Sequence, residues 1–143
     1  MQIAGTLMGY CPDFPDIVKE VFYEKTPLQQ KVMGYVLYNS RLSLDGKFIT
    51  GSITYDEMNR MGADQNDLEG ISSQLMLTAK AEAAVFIYGG SDGSSRISMR
   101  SAGQVDCAKI TSSFGGGGHA GAAGLTSDKD PYELEKAMEH WKS

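Results

Sequence analysis

The sequence is poor in the residues that build metal centres and disulfide frameworks. Its 143 residues include two histidines, His119 and His140, and two cysteines, Cys11 and Cys107. No cluster of Asp and His at ligand spacing accompanies them, and hard or borderline cations need several such ligands together. The cysteines stand far apart and form no metal-type pair, so they read as two reduced, structural thiols. Apolar runs are short, and none approaches the roughly 20 residues needed to span a bilayer. No basic segment precedes an apolar core at the N-terminus, so no signal peptide is visible, and the expected location is cytoplasmic with no membrane partner. Positive charge is also scarce: 13 Lys and Arg against 18 Asp and Glu give a net charge of −5. This argues against a large non-specific nucleic-acid surface, which needs a basic excess. It leaves room for a small site holding one or two phosphates, which needs only a few well-placed donors.

What is present suits one soluble globular domain. The apolar fraction of 41% and the charged fraction of 22% are ordinary for that class, and the length is enough to bury a core. The most informative stretch is Phe114-Gly115-Gly116-Gly117-Gly118-His119-Ala120-Gly121-Ala122-Ala123-Gly124. Four consecutive glycines are poor material for a helix or strand interior, and they suit a loop that brings its backbone close to something. The small residues beyond His119 are expected to open a short helix, whose first N–H groups favour an anion. The local reading is an oxyanion or phosphate cradle with His119 at its lip. It is neither a dinucleotide fingerprint nor a Walker A loop, because the spacings differ. The competing local reading is a flexible turn whose glycines allow close packing.

Elsewhere the pattern predicts alternating helices and strands. Apolar spacing predicts a helix over Asp16–Tyr23, and a second from Pro27 to about Ser40, with Leu28, Val32, Met33 and Val36 inward. Asp45-Gly46 signals a turn before a strand over Lys47–Ile53. Thr54 and Glu57 form a capping box for a short helix, and Asn66 to Glu69 repeats the device for a helix to about Thr78. Capping accounts for Glu57 and Asp67 without a catalytic role. Ala83–Tyr88 is a continuous apolar run that suits a strand buried on both faces, with a hairpin-like loop after it. The next strand, Arg96–Ser101, alternates. Ile97 and Met99 face one side, and Arg96, Ser98 and Arg100 the other. Asp106 caps the following helix, with Val105 and Ile110 as a staple, and this helix runs out at Phe114. A further strand is expected around Leu125–Ser127. Asp130, Pro131 and Glu133 start a final helix with Leu134, Ala137, Met138 and Trp141 inward. His140, near its end, has no role beyond interaction with the helix dipole. The order predicts an α/β fold, bordering on α+β, with a small mixed sheet flanked by helices.

The glycine stretch resembles the signature of the DHH-associated domain, the C-terminal lobe of DHH-family phosphoesterases. Ser98-Met99-Arg100-Ser101 is similar to the Ser-x-Arg-Ser strand that precedes the glycine loop there, and Asp67-Leu68-Glu69-Gly70 lies upstream at the expected place. The resemblance runs from about Pro15 to Gly124 and is strongest to the oligoribonuclease/pAp phosphatase branch. RecJ-like exonucleases and cyclic-di-AMP phosphodiesterases carry the same lobe, and alanyl-tRNA synthetases a related one. The resemblance implies that residues 1–12 are the remnant of a linker helix from a separate catalytic domain, and that residues 13–143 form a substrate-binding domain. The catalytic domain of that family holds divalent metals, usually manganese, through aspartates and an Asp-His-His triplet. No Asp-His-His occurs here, so the expectation for this chain is no bound cofactor, no metal ligand and no catalytic residue.

On this reading Arg100, Ser98, His119 and the backbone N–H groups of Gly116, Gly117 and Gly118 bind a phosphate or nucleotide terminus. Arginine suits the task because its planar fork holds two oxygens at once. His119 donates one hydrogen bond when neutral and a charged one when protonated. Arg96 is the weaker candidate, since an exposed strand arginine is more often simply solvated. A general-acid role for His119 ranks lower, because metals in the partner domain already supply activation. Ala120 and Gly121 are smaller than the family pattern leads one to expect, which weakens substrate contact or loosens the loop. The expected partners are a nucleotide or short single-stranded nucleic acid and the DHH catalytic domain of the same parent, and a homodimer is allowed. Two other classes stay open: a free-standing nucleotide-binding or regulatory module without catalysis, and a purely structural interaction domain.

Overall fold

The computed structural model describes residues 24–43, 45–103 and 105–129. The helices expected over Asp16–Tyr23 and after Asp130, together with Cys11, His140 and the linker segment, lie outside the described residues. Helix α1 spans Pro27–Tyr38. It starts where it does because Thr26 and Gln29 form a reciprocal capping box and Pro27 occupies the first turn, where its missing N–H costs nothing. A short strand, β1 (Arg41–Ser43), leads through the Asp45-Gly46 turn into β2 (Phe48–Ile53). Helix α2 (Tyr55–Met61) opens on the expected Thr54–Glu57 box. Glu57 also accepts a hydrogen bond from the Tyr35 hydroxyl, which ties α2 to α1.

The next segment departs from expectation. The sequence pattern predicts one helix from Asn66 to about Thr78. Instead a 3-10 turn over Gln65–Leu68 is followed by a separate helix, α3 (Ile71–Met76). The cap is Asp64, whose carboxylate accepts from Asn66 N–H at 2.8 Å, while Asp67 reaches back to Asp64 N–H at 2.9 Å. Gly70 then takes φ +86, a left-handed conformation that breaks the helix and that glycine adopts without strain. Strands β3 (Ala83–Gly89) and β4 (Ser95–Ser101) follow. Helix α4 (Cys107–Ser113) is capped by Asp106 as expected, and Val105 packs with Ile110 in one cluster.

The glycine stretch forms a hairpin rather than a loop opening a helix. Strand β5 is Gly117–His119 and β6 is Ala122–Ser127, joined by the two residues Ala120 and Gly121. The strand expected at Leu125 thus begins three residues earlier, and among the described residues no helix starts after His119. The glycines do bring the backbone close, but to their own partner strand. A Cβ on Gly118 would sit 2.5 Å from Ala123 Cα, and one on Gly116 2.5 Å from the Gly124 carbonyl oxygen.

The six described strands form one mixed sheet in the order β1-β2-β3-β4-β6-β5. The β2–β3 pair is parallel and every other pair antiparallel. Helices α1 to α3 cover one face, where Val32, Val36, Ile71 and Leu75 are fully buried against Ile49, Ile53, Ala84 and Phe86. Helix α4 covers the other face through Cys107 and Ile110, against Val85, Ile87, Ile97, Met99 and Leu125. Each fully buried aliphatic side chain contributes about 1.5–3 kcal/mol. The architecture is the expected α/β fold, a mixed sheet between two helical layers. The first layer reaches β4 through α3, which leaves its side of β6 and β5 uncovered by any described helix.

Candidate phosphate and nucleotide site

The site grows from strand registry. In an antiparallel pair, directly opposed residues face the same side of the sheet. Arg100 is opposed to Ala84 on β3 and to Ala122 on β6, and Ala122 is opposed to His119 on β5. One row therefore reads Ala84, Arg100, Ala122, His119. The next row reads Phe86, Ser98, Gly124, Gly117, and a third reads Tyr88, Arg96, Thr126. The strand alternation expected from sequence is observed. Ile97 and Met99 are buried on the α4 side, while Arg96 and Arg100 are exposed and Ser98 is half-buried on the open side. The registry adds what the sequence did not supply: His119 shares the face of Arg100, and between them lie only small side chains.

Arg100 is held from one side. Its Nε donates to Ser72 Oγ at 3.2 Å, which anchors the guanidinium at the N-terminal turn of α3. Its remaining N–H groups have no protein acceptor among the described residues. His119 is exposed. Of the three glycine amides expected to face a ligand, that of Gly116 is already used, donating to the Thr111 carbonyl at 2.7 Å. Ladder bonding alternates along an antiparallel strand, so at least one of Gly117 and Gly118 turns its N–H to the open edge of β5. These amides belong to a strand edge and not to a helix N-terminus, so no helix dipole acts on them.

The rest of the Ser-x-Arg-Ser segment is structural. Met99 is fully buried. Ser101 Oγ accepts from Gly103 N–H at 3.1 Å and Val105 N–H at 3.2 Å, which shapes the turn into α4. The hairpin tip is tied down as well: the Ala120 carbonyl accepts from Cys107 N–H at 2.9 Å and the Gly121 carbonyl from Ser101 N–H at 3.0 Å. Small residues at the tip thus accompany a fixed turn rather than a loose one.

A cleft of about 370 Å³ adjoins the row of Ser98, between β3–β4 and the segment Gln65–Ser72. Sequence reading singled out Asp67 to Gly70 but missed Ser72 and the cleft, because both depend on where α3 lands on the sheet. On the opposite side of the molecule Cys107 is buried and unpaired, and burial, followed by the neighbouring Asp106 charge, pushes its thiol up from the ordinary range. In the β3–β4 loop, the hydroxyl and backbone N–H of Ser94 hold the exposed Asp92 carboxyl below its ordinary value, which is a turn device rather than a site. Among the described residues no group of three or more His, Cys, Asp or Glu gathers to hold a metal. The row neighbour of His119 is Ala122, so the arrangement offers donors for an anion.

Residues 45–143 match the DHHA1 domain. The chain belongs to that family, as a DHHA1 domain of a DHH-family protein. The match begins at Asp45, later than the resemblance at Pro15, and extends past Gly124 to the last residue. Among solved structures, an exopolyphosphatase-related protein from Bacteroides fragilis is similar, with a TM-score of 0.79 and 26% identity, covering 90% of this chain and 39% of that one. A pGpG-specific phosphodiesterase from Vibrio cholerae shares the fold, with a TM-score of 0.57 and 10% identity, covering 80% of this chain and 37% of that one. The chain thus spans about two fifths of the length of either protein. No curated protein matches the sequence. No helix among the described residues is long and apolar enough to cross a membrane.

Proposed function

We propose that the open sheet face is the substrate-binding lobe of a metal-dependent DHH-family phosphoesterase, of the oligoribonuclease/pAp phosphatase type. It holds a phosphate of a nucleotide or short oligonucleotide for hydrolysis by a catalytic domain of the same parent protein. One observation carries the reading: registry sets Arg100, Ser98 and His119 on one face of the sheet, beyond the edge of α3, with Ala122 between Arg100 and His119 and Gly124 opposed to Ser98. Arg100 supplies a fork for two phosphate oxygens, Ser98 a hydroxyl, His119 a ring N–H, and the β5 edge a backbone donor. The divalent metal of such an enzyme, manganese in most of the family, would supply an activated water from the other domain, and no residue of this chain is assigned to it. The task of this lobe is to fix the phosphoester in place, which removes part of the entropic barrier.

The test is an NMR titration of the chain with pAp and with a short oligoribonucleotide, repeated with Arg100→Ala and His119→Ala. The expected result is shifts centred on Arg100 and residues 117–119 that both variants lose. Equal binding by the variants and the parent sequence would overturn the reading.

A further inference from the structure

The edge of the sheet farthest from β5 ends unevenly. Strand β1 pairs only with Phe48, Ile49 and Thr50 of β2, so the rest of β2 runs past Arg41, the first residue of β1. Backbone groups turn to alternate sides along a strand. The Lys47 carbonyl turns to β3, where it accepts from Glu82 N–H at 2.6 Å and Ala83 N–H at 3.1 Å. Ser52, an odd number of residues on, therefore turns its N–H and C=O to the outer edge. A longer β1 would set Asn39 opposite Ser52, but Asn39 closes α1 instead, with its N–H on the Tyr35 carbonyl at 3.2 Å. Among the described residues nothing pairs with the two backbone groups of Ser52.

A pocket of about 290 Å³ lies at this place, lined by Tyr35, Asn39, Arg41, Ser52 and Glu57. It holds charge of both signs. Glu57 is 9% exposed, and its Oε1 accepts from Thr54 N–H at 2.9 Å and its Oε2 from the Tyr35 hydroxyl. A carboxylate oxygen has two lone pairs, so each accepts a further donor. Asn39 gives its side-chain N–H to the Tyr35 carbonyl at 2.9 Å, which leaves the amide oxygen as an acceptor. Arg41 is exposed and brings a planar fork of donors. The two charges stand in a definite order along the edge. Strand β1 runs antiparallel to β2. A ligand in line with β1, opposite Ser52 and of the same polarity, has its carboxyl end toward Arg41 and its amino end toward Thr54 and Glu57.

We infer that this pocket binds a free α-amino acid as its zwitterion. The ammonium group donates to the Ser52 carbonyl and the Glu57 carboxylate, and the carboxylate accepts from Ser52 N–H and the Arg41 guanidinium. This is the double exchange that a residue of a longer β1 would make with Ser52, with a charge-assisted bond added at each end. Clefts for drug-sized ligands begin at roughly 300 Å³, so the volume suits a ligand smaller than a nucleotide. The inference is independent of the phosphate reading, since it uses none of the same residues.

The experiment is an NMR titration of the isotope-labelled chain with L-alanine and with two forms that each lack one charge, N-acetyl-L-alanine and L-alaninamide. Arg41→Gln is titrated alongside. Arg41 is exposed on an edge strand of three residues, so the fold is retained. L-Alanine is expected to shift the amides of Asn39, Arg41, Ser52 and Ile53. Each one-charge form, and L-alanine with the variant, is expected to bind about ten-fold more weakly or worse, as the loss of a charge-assisted hydrogen bond predicts. L-Alanine that leaves Ser52 unshifted overturns the inference. So does equal binding by either one-charge form, or by the variant. Binding of pAp is expected to be the same in the variant and the parent sequence, so the failure of either reading is seen apart from the other.

Discussion

Arg100 and His119 face the same side of the sheet in one cross-strand row, with Ala122 alone between them. Adjacent strands run about 4.8 Å apart, so the two backbones are separated by roughly 10 Å. That gap is too wide for a direct contact between the two backbones. It is well matched to an anion seated over Ala122 and reached from one side by a long guanidinium and from the other by an imidazole. Ser72 holds the Arg100 Nε, so part of the ordering cost of that side chain is met before ligand arrives.

Arg100→Ala is therefore expected to weaken pAp binding by about 1.5–3 kcal/mol, the range for a hydrogen bond to a charged group, or roughly ten- to a hundred-fold. Arg100→Lys is expected to restore little, because an ammonium lacks the planar fork and the Nε that Ser72 holds. Isothermal titration calorimetry on the three proteins decides this. Full recovery by lysine would mean that the site needs only a point charge.

Ala122 itself makes no donor contact in this scheme, yet its size matters. Ala122→Leu places a branched side chain between Arg100 and His119 on the open face. Binding of pAp should fall at least ten-fold, while the melting temperature moves by only a few degrees, since Ala122 is half-exposed on the two-residue hairpin. Unchanged affinity would show that the phosphate does not lie between the two residues.

Much of this face could be read from local pattern. The alternation that separates Arg96, Ser98 and Arg100 from Ile97 and Met99 follows from strand geometry alone. The Thr54–Glu57 box and the Asp106 cap are local too. The hairpin of β5 and β6 was hidden because glycine has little strand propensity, and because its pairing depends on a tight approach that only the three-dimensional partner explains. The break at Gly70 was hidden for another reason: Asp64 and Asn66 are nearly equivalent caps in sequence, and a left-handed glycine between them and the next helix leaves no pattern of its own. Strand β1 has three residues, of which Leu42 is 59% exposed, so it offers no burial alternation to detect.

The hairpin geometry makes its own prediction. Gly118 has φ +144, and a Cβ there would meet Ala123 Cα at 2.5 Å. Gly118→Ala must strain the backbone and push β5 from β6, at a cost of about 1–3 kcal/mol. Hydrogen exchange should show lost protection at the hairpin, Ala122–Leu125, with the β3–β4 pair unaffected. Gly117→Ala, where an added Cβ meets nothing within 4 Å, should leave exchange nearly unchanged. Equal effects at the two positions would mean that close approach is not why the glycines are there.

The covered face carries a titratable group of its own. Cys107, the first residue of α4, is fully buried against the sheet, and burial, then the Asp106 charge, raises its thiol pKa above the ordinary 9.0. The folded state therefore keeps its proton at pH values where the unfolded chain has lost it. Stability from this group is fully present below the unfolded value of 9.0 and is lost as pH rises from there through the higher folded value. Urea melts taken from pH 8 upward should show a decline in stability that Cys107→Ala reduces, because alanine has no proton to lose in either state. The thiol should also react slowly with a disulfide reagent at pH 8 in the native protein and readily in urea, since only the thiolate is nucleophilic and burial blocks access. Fast native reaction, or a pH slope unaltered by Cys107→Ala, would place the thiol outside the core.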